Sequence, residues 1–202
     1  MSKPVLVFQA PVGTRSGYGE RSRDLVRSLI ALDKFDIKIV STRWGATPMN
    51  ALTELDTDIL DRILVGNLSQ QPEIFMQVTV PNEFQKVGKY NIGVTAGIET
   101  NLCDHTWLEG CNRMDLVLAS SEHAKAVFEG TTFDKKDSNT GQIVESLKLT
   151  TPVEVLFEGI RLNTFQKKYT GEANVAEIFD QIPEDFCFLF VGHWLPGDIG
   201  ED

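Results

Sequence analysis

The sequence contains little cysteine and no long apolar run. Its cysteines, Cys103, Cys111 and Cys187, are odd in number and lack Cys-x-x-Cys spacing, which argues against a disulfide framework or a structural zinc site. No apolar run approaches the roughly 20 residues of a membrane-spanning helix, and the opening MSKPVLVF predicts a core strand rather than a signal peptide. We therefore expect a protein of the reducing cytoplasm without an integral membrane segment.

Positive charge is also scarce. The 202 residues include 19 lysines and arginines against 29 aspartates and glutamates, for a net charge of −10. Because nucleic-acid binding needs a basic surface to displace counterions from phosphates, no nucleic-acid partner is expected. With 42% hydrophobic and 24% charged residues, the composition predicts a folded chain, long enough for one sizeable domain or one domain plus the start of another.

Short apolar runs alternate with amphipathic segments along the chain. The runs are nearly continuous in apolar or β-branched residues, as expected of strands that are covered on both faces. This alternation predicts right-handed βαβ units and a Rossmann-like α/β fold with a doubly wound parallel sheet. Strands are predicted at 5–10, 35–41, 74–80, 90–96, 115–119, 153–157 and 186–191, and helices at 19–32, 51–64, 105–112, 121–129 and 174–181.

The segment 133–150 interrupts this alternation. It opens with polar residues, Gly and Asn, and then alternates apolar and polar positions, which predicts a hairpin-like surface insertion. The turn sequence Thr150-Thr151-Pro152 follows it, so the second arm of the hairpin is expected at 153–157.

A glycine-bearing loop, PVGTRSGYGE, joins the first predicted strand to the first predicted helix. Gly17 and Gly19 allow close backbone approach, and the helix N-terminus adds about half a positive charge, so phosphate or carboxylate is the first ligand to consider. The loop is neither a GxGxxG fingerprint nor a GxxxxGK[ST] P-loop. In the alternative interpretation, the glycines only make a tight strand-to-helix turn.

Arginines cluster beside this loop, against the acidic background of the chain. Arg15 lies within the loop, and three more arginines follow at positions 21, 23 and 27. They could present positive charge to an anionic ligand, or they could form a solvated helix face that is paired with Glu20 and Asp24. The sequence leaves both interpretations open.

Polar residues follow several predicted strands, at the carboxyl ends where α/β proteins bind ligands. Glu99 is the candidate general base, although a lone carboxylate is a weak indication. Ser120 also suits a helix cap, and His123 also suits an exposed helix position. We expect these loops to converge on one rim of the sheet and to hold a polyhydroxylated molecule with a phosphate. The candidate binding residues are Gly17, Tyr18, Gly19, Arg15, Asn82, Glu83, Thr100, Asn101, Ser120 and His123.

Other chemistries find less support. Residues of metal-binding type occur at Cys103, Asp104, His105 and Cys111, but their spacing fits no familiar site, so no metal is expected. The chain has no GxSxG nucleophile elbow.

Several motifs together resemble a known family. They are SGYGERSRDLVRSL, VPNEF, GVTAGIETN, the W…N..D.VL.SSEHAK.VF run and VEVLFEGIRLNTF. With them, nearly all of the chain resembles the amino-terminal half of a GT-B glycosyltransferase of the glycosyl transferases group 1 (GT4-like) type. The last motif is similar to the interdomain segment of that family, and FCFLFVGHW resembles the first strand of its second domain.

This resemblance implies two Rossmann-like domains that face each other across a cleft. Residues 1–170 would form the acceptor-side domain, and 171–202 would form a linker and the first strand of a truncated donor-binding domain. A sugar would pass from a nucleoside-diphosphate sugar, a substrate rather than a cofactor, to a hydroxyl acceptor, with retention and without a bound metal. Gly17 and Gly19 would face the donor, whereas Glu99, Thr100 and residues 120–123 would face the acceptor.

The sequence also departs from the family. The basic pair and the paired glutamates that hold the donor belong to the second domain, and VTVPNEF has no match to the usual first-domain histidine, which leaves that role to Asn82, Glu83 or Glu99. We therefore expect the 202-residue chain alone to be inactive. The alternative is a non-catalytic carbohydrate- or nucleotide-binding module. A nicotinamide-dependent oxidoreductase is disfavoured because GxGxxG is missing and Asp36 begins a strand rather than ending one.

Overall fold

A computed structural model describes residues 3–68, 70–160, 177 and 179–188. The chain divides into two compact units, Met1–Gly159 and Ile160–Asp202. In the second unit, Glu177 and Phe179 are helical, whereas Asp180 and Gln181 form a turn, so the helix predicted at 174–181 is wrong at its end; residues 174–176 and 178 lie outside the described residues. Residues 186–188 are exposed and form no strand, and residues 189–191 of the strand predicted there lie outside the described residues. The predicted domain boundary at 170 also lies outside them.

The first unit is built on a six-stranded sheet with the order β2-β1-β3-β4-β5-β8, in which every neighbouring pair is parallel. The Rossmann-like α/β prediction is therefore confirmed. The strands are β1 Val5–Ala10, β2 Asp36–Ser41, β3 Ile74–Val78, β4 Tyr90–Thr95, β5 Leu116–Ala119, β6 Thr132–Lys136, β7 Ile143–Lys148 and β8 Val153–Val155. The helices are α1 Gly17–Leu32, α2 Thr57–Leu60, α3 His105–Cys111 and α4 Glu122–Gly130, with a 3₁₀ turn at Pro81–Glu83.

Two apolar cores form on the sheet because strand side chains alternate between its faces. Phe8 and Ile39 pack in the first core together with Val26 of α1, and all three are fully buried. The second core contains Leu108 of α3 and Phe128 of α4, which are also fully buried. Helices thus contribute to both cores, as the doubly wound prediction requires.

Three of the four named helices, α1, α3 and α4, begin at side-chain caps. The Ser16 hydroxyl accepts from the Gly19 amide at 3.0 Å at the start of α1, and Asp104 and Ser121 cap α3 and α4 in the same way. Such caps satisfy amide groups that have no partner within the helix. At its other end, α1 stops at Asp33, which adopts a left-handed conformation with φ of 51°.

The insertion is a hairpin, as predicted, but its second arm differs from the prediction. β6 pairs antiparallel with β7, whereas Val153–Val155 pairs parallel with β5 and extends the main sheet. The Thr150-Thr151-Pro152 segment makes no hairpin turn: the Pro152 carbonyl accepts from the Val117 amide at 3.0 Å, and Val153 is buried in the second core. Burial of this strand on the sheet therefore outweighs local pairing.

The helix predicted at 51–64 is also shorter than expected, with only Thr57–Leu60 helical. Ile63 forms a parallel bridge with Ile39 of β2, and the Ile39 amide donates to the Arg62 carbonyl at 2.8 Å. The chain leaves the helix after one turn because this pairing satisfies the outer edge of β2.

Candidate functional site

The chain order of the sheet reverses beside β1, which lies between β2 and β3. In doubly wound folds, ligands bind at the carboxyl ends of the strands at such a switch point. Because all six strands are parallel, the loops after β1, β4 and β5 and the segment after β8 leave the sheet at this same edge.

Tyr18, in the first turn of α1, connects this helix to the end of β4. Its hydroxyl lies 3.1 Å from the Thr95 hydroxyl and accepts from the Ala96 amide at 3.1 Å. The phenol ring stacks on Trp44, with ring centroids 4.0 Å apart and an interplanar angle of 19°. Tyr18 is thereby held on both its face and its hydroxyl, so it forms a rigid wall of the site.

The loops after β4 and β5 are also joined at this edge. The Ser120 hydroxyl donates to the Ala96 carbonyl at 2.5 Å, and the His123 Nε2 atom lies 3.2 Å from the Thr100 carbonyl. Hydrogen bonds thus connect the start of α1 and the loops after β4 and β5 through Tyr18, Ser120 and His123, and the role of these residues in binding stays a prediction.

Glu99 and Asn101 lie in the loop after β4, and both are exposed. Within the described part of the chain, neither side chain forms a hydrogen bond or an ion pair. The loop itself is shaped by Gly97, whose φ is 91°, a conformation that favours glycine. The carboxylate of Glu99 is thus available at the rim but is not oriented by a neighbouring described side chain.

The two glycines of the loop have different surroundings. A Cβ atom at Gly19 would lie 2.3 Å from the Thr14 carbonyl oxygen, so glycine is required there for the loop to pack on α1. At Gly17, a Cβ atom would meet nothing within 4 Å. The tight-turn interpretation therefore describes Gly19, whereas Gly17 leaves open space at the start of the helix.

The arginines beside the loop do not share a ligand-facing surface. Arg15 donates through Nε to the Asn50 side chain at 2.8 Å. Arg23 is 7% exposed and donates to two carbonyls of the loop, those of Val12 at 2.8 Å and Thr14 at 2.9 Å. Arg23 therefore holds the glycine loop in shape from within.

The other two arginines also have their own partners. Arg27 pairs with Asp56 at 2.5 Å and with Asp58 at 3.0 Å. Arg21 donates to the Leu156 carbonyl at 2.5 Å and lies 3.6 Å from the Glu158 carboxylate, so it connects α1 to the segment after β8. Of the four arginines, Arg21 is the one whose partners lie at the carboxyl edge after β8.

Asn82 and Glu83 lie in the 3₁₀ turn after β3. The Glu83 carboxylate accepts from the Thr79 hydroxyl at 2.5 Å, and the Asn82 carbonyl accepts from Arg113 at 2.8 Å. The turn packs against α3, because a Cβ atom at Gly110 would lie 1.8 Å from the Pro81 carbonyl oxygen. In the residues that the structure describes, no hydrogen bond connects this turn to Tyr18 or Ser120.

A cavity of about 230 Å³ lies between the start of α1, the ends of β3 and β4, and the segment after β8. This volume is below the roughly 300–1,000 Å³ of sites for drug-sized ligands, so a ligand of about one ring is the size that fits. Hydroxyl, backbone, guanidinium and carboxylate groups all reach its walls. They are formed by Gly17, Tyr18, Arg21, Val78, Val94, Thr95, Ala96 and Glu158.

The metal-type residues show no metal site. Over the described ranges, no group of three or more His, Cys, Asp and Glu side chains is placed to hold an ion. Cys103 and Cys111 are buried in the second core, where burial raises the pKa of both thiols, that of Cys111 to about 12. A thiol with a raised pKa is a poor nucleophile, so these cysteines are structural.

Besides Arg21 of the arginine cluster, three residues of this edge were not among the predicted site residues: Trp44, Thr95 and Glu158. Thr95 lies inside an apolar strand, and Glu158 follows the strand that was expected in the hairpin. Only Trp44 had a visible indication, as an aromatic residue in a polar loop.

Comparisons with known proteins give no further support, since no family model, curated protein or solved structure matches the chain. None of the helices in the described ranges is long and apolar enough to cross a lipid bilayer.

Proposed function

We propose that this chain provides the acceptor side of a GT-B, GT4-like glycosyltransferase. The carboxyl edge of the sheet binds a hydroxyl-bearing acceptor. A nucleoside-diphosphate sugar is bound by a second domain, of which residues 171–202 are the beginning. Transfer proceeds with retention and without a bound metal, and the 202-residue chain alone is inactive because it lacks most of the donor site.

The observation that carries this proposal is the 230 Å³ cavity beside the fixed Tyr18. Its polar groups include oxygen atoms that can accept from sugar hydroxyls: the Thr95 hydroxyl, the Ala96 carbonyl and the carboxylate of Glu158. Glu99 is the candidate base at the same rim, and Thr100, Asn101, Ser120 and His123 belong to the neighbouring loops. The start of α1 can stabilise negative charge on the departing diphosphate.

One observation favours a second candidate, a non-catalytic carbohydrate-binding module. A catalytic carboxylate is usually held in place by neighbouring groups, whereas the Glu99 side chain has no hydrogen-bond partner among the described residues. The Glu99→Gln variant separates the two candidates. If the protein is an enzyme, Glu99→Gln in a form that also carries the donor domain abolishes sugar transfer and leaves acceptor binding unchanged. If it is a binding module, neither the unsubstituted protein nor the variant transfers sugar.

Acceptor binding is tested on the 202-residue chain with neutral monosaccharides, by saturation-transfer NMR. The Gly17→Leu variant places a side chain in the open space of the cavity and is expected to abolish binding. Gly130→Leu is the matched control, because a Cβ atom at Gly130 also meets nothing within 4 Å and this residue lies at the end of α4. Equal binding by both variants, or sugar transfer by the 202-residue chain itself, would contradict the proposal.

A further inference from the structure

A second cavity, of about 700 Å³, lies along α1 beside the site. Its walls are mainly apolar and come from α1, from the sheet and from the segment after β8. They include Leu25, Leu29, Met76, Leu118, Leu156 and Phe157. Phe157 is 77% exposed, so a large aromatic side chain remains in contact with water along this wall.

The two cavities share three residues as walls: Gly17, Arg21 and Glu158. The small polar cavity at the carboxyl edge and the larger apolar cavity along α1 therefore adjoin where Arg21 meets Glu158. Gly17 carries no side chain at this junction, and the space around its Cα is open. One ligand can occupy both cavities if it has a small polar end and an apolar extension.

Charge around the junction identifies the kind of polar end. Glu20 lines the larger cavity and is paired with Arg23 at 2.5 Å. Among the described residues that line either cavity, the one cationic group is the guanidinium of Arg21. That guanidinium already donates to the Leu156 carbonyl and is paired with Glu158. An anionic headgroup would therefore have to compete with these partners of Arg21, whereas the hydroxyls of a neutral sugar can donate to the Glu158 carboxylate.

The geometry points to an uncharged amphiphile as the acceptor: one sugar-sized polyol ring beside Tyr18 and Thr95, with an apolar chain along Leu29, Leu118 and Phe157. This inference rests on the proposed function, since it names the acceptor class of the same site. The ring fills the cavity of about 230 Å³, and the chain lies in the cavity of about 700 Å³. The apolar chain supplies most of the affinity, because burying each methylene removes apolar surface from water.

The probe is n-octyl β-D-glucoside, measured by isothermal titration calorimetry on the 202-residue chain below the critical micelle concentration. Glucose measures the affinity of the sugar ring alone, and octyl sulfate measures the affinity of the same alkyl chain on an anionic headgroup. We expect octyl glucoside to bind with one-to-one stoichiometry and about a hundredfold more tightly than glucose, as burial of about half of its chain implies. Octyl sulfate is expected to bind more weakly than octyl glucoside.

Two variants test where the alkyl chain of octyl glucoside binds. Phe157→Ser removes an apolar wall and is expected to weaken octyl glucoside binding about tenfold while leaving the affinity for glucose unchanged. Leu55→Ser is the matched control, an exposed apolar residue that lies outside both cavities and is expected to change neither affinity.

The outcomes separate this inference from the proposed function. Equal affinity for glucose and octyl glucoside would overturn the inference of an amphiphilic acceptor and leave the proposed acceptor site unaffected. Octyl sulfate binding as tightly as octyl glucoside, or equal effects of the two variants, would also overturn it. Binding of neither glucose nor octyl glucoside would overturn both proposals. Tight, Phe157-dependent binding without sugar transfer by any longer form of the protein would support the site and reject the enzyme.

Discussion

Gly19 packs against the glycine loop without room for a side chain. A Cβ atom there would lie 2.3 Å from the carbonyl oxygen and 2.6 Å from the hydroxyl of Thr14. Because the first of these atoms belongs to the backbone, relief of the contact requires the loop to move. We expect Gly19→Ala to lower the free energy of unfolding by about 1–3 kcal/mol, measured by urea denaturation.

Gly17→Ala is the control for this variant. The two glycines lie in the same helical turn, but a Cβ atom at Gly17 meets nothing within 4 Å. Replacing glycine by alanine in a helical conformation reduces the entropy of the unfolded chain, so the free energy of unfolding should stay constant or rise by up to about 1 kcal/mol. Equal losses in both variants would show that the contact with Thr14 is unimportant.

Titration of the Cys111 thiol makes the free energy of unfolding depend on pH in the alkaline range. Burial raises the pKa of this thiol from 9.0 to about 12 in the folded state. Between these values the unfolded chain loses the proton and the folded chain keeps it. The contribution of this thiol to the free energy of unfolding is therefore fully present below pH 9. It falls as the pH rises toward 12, by up to about 1.4 kcal/mol per pH unit.

The measurement compares urea unfolding at several pH values in this range. Cys111→Ala is expected to have a shallower dependence than the unsubstituted protein, whatever its stability at neutral pH. The exposed Cys187 provides the control, since Cys187→Ala should keep the full dependence. Parallel curves for all three proteins would contradict the assignment to Cys111.

At the level of single residues, the sequence indicates some of the residues at the carboxyl edge and misses others. Tyr18, Ser120 and His123 were found because polar residues after parallel strands share one edge. Thr95 and Glu158 could not be found in that way: Thr95 faces the site from within a strand, and Glu158 depends on where β8 pairs.

Among the elements, the strands follow most directly from the sequence. β1 has the predicted bounds, and β2 to β5 begin or end within two residues of them, because short apolar runs have few other places to be buried. Two of the errors arise from long-range pairing. The bridge between Ile63 and Ile39 shortens α2, and the burial of Val153 places β8 in the main sheet. Neither interaction is visible in a local pattern.

The hairpin gives a prediction at the element scale. Its pair Phe133–Leu147 packs against the second core and the pair Asp134–Ser146 follows it, whereas nearly all of residues 135–145 are exposed. Replacing residues 135–145 by Asn-Gly, a two-residue hairpin turn, is expected to change the free energy of unfolding by less than about 1 kcal/mol, because a shorter loop costs less closure entropy.

Phe133→Ala is the contrasting variant, since this side chain packs against the second core. It is expected to lower the free energy of unfolding by about 2 kcal/mol, because apolar area returns to water. A larger loss from shortening the hairpin than from Phe133→Ala would show that the exposed arm stabilises the fold.

For the whole molecule, the division at Gly159 predicts an independently folding first unit. A chain shortened to residues 1–159 is expected to unfold in a single cooperative transition, followed by circular dichroism in urea, because it retains all six strands and both cores. A chain shortened to residues 1–148 lacks β8 and the buried Val153 and should lose this cooperativity. A broad transition in the longer of the two would contradict the division.

The stacking of Tyr18 on Trp44 makes the protein its own optical reporter. A stacked ring alters indole emission, and the hydroxyl of this ring borders the cavity. The sequence has three tryptophans, so replacing Trp107 and Trp194 by phenylalanine leaves Trp44 as the single emitter. The quantum yield of Trp44 would then follow the occupancy of the cavity in real time, without a dye or a labelled sugar.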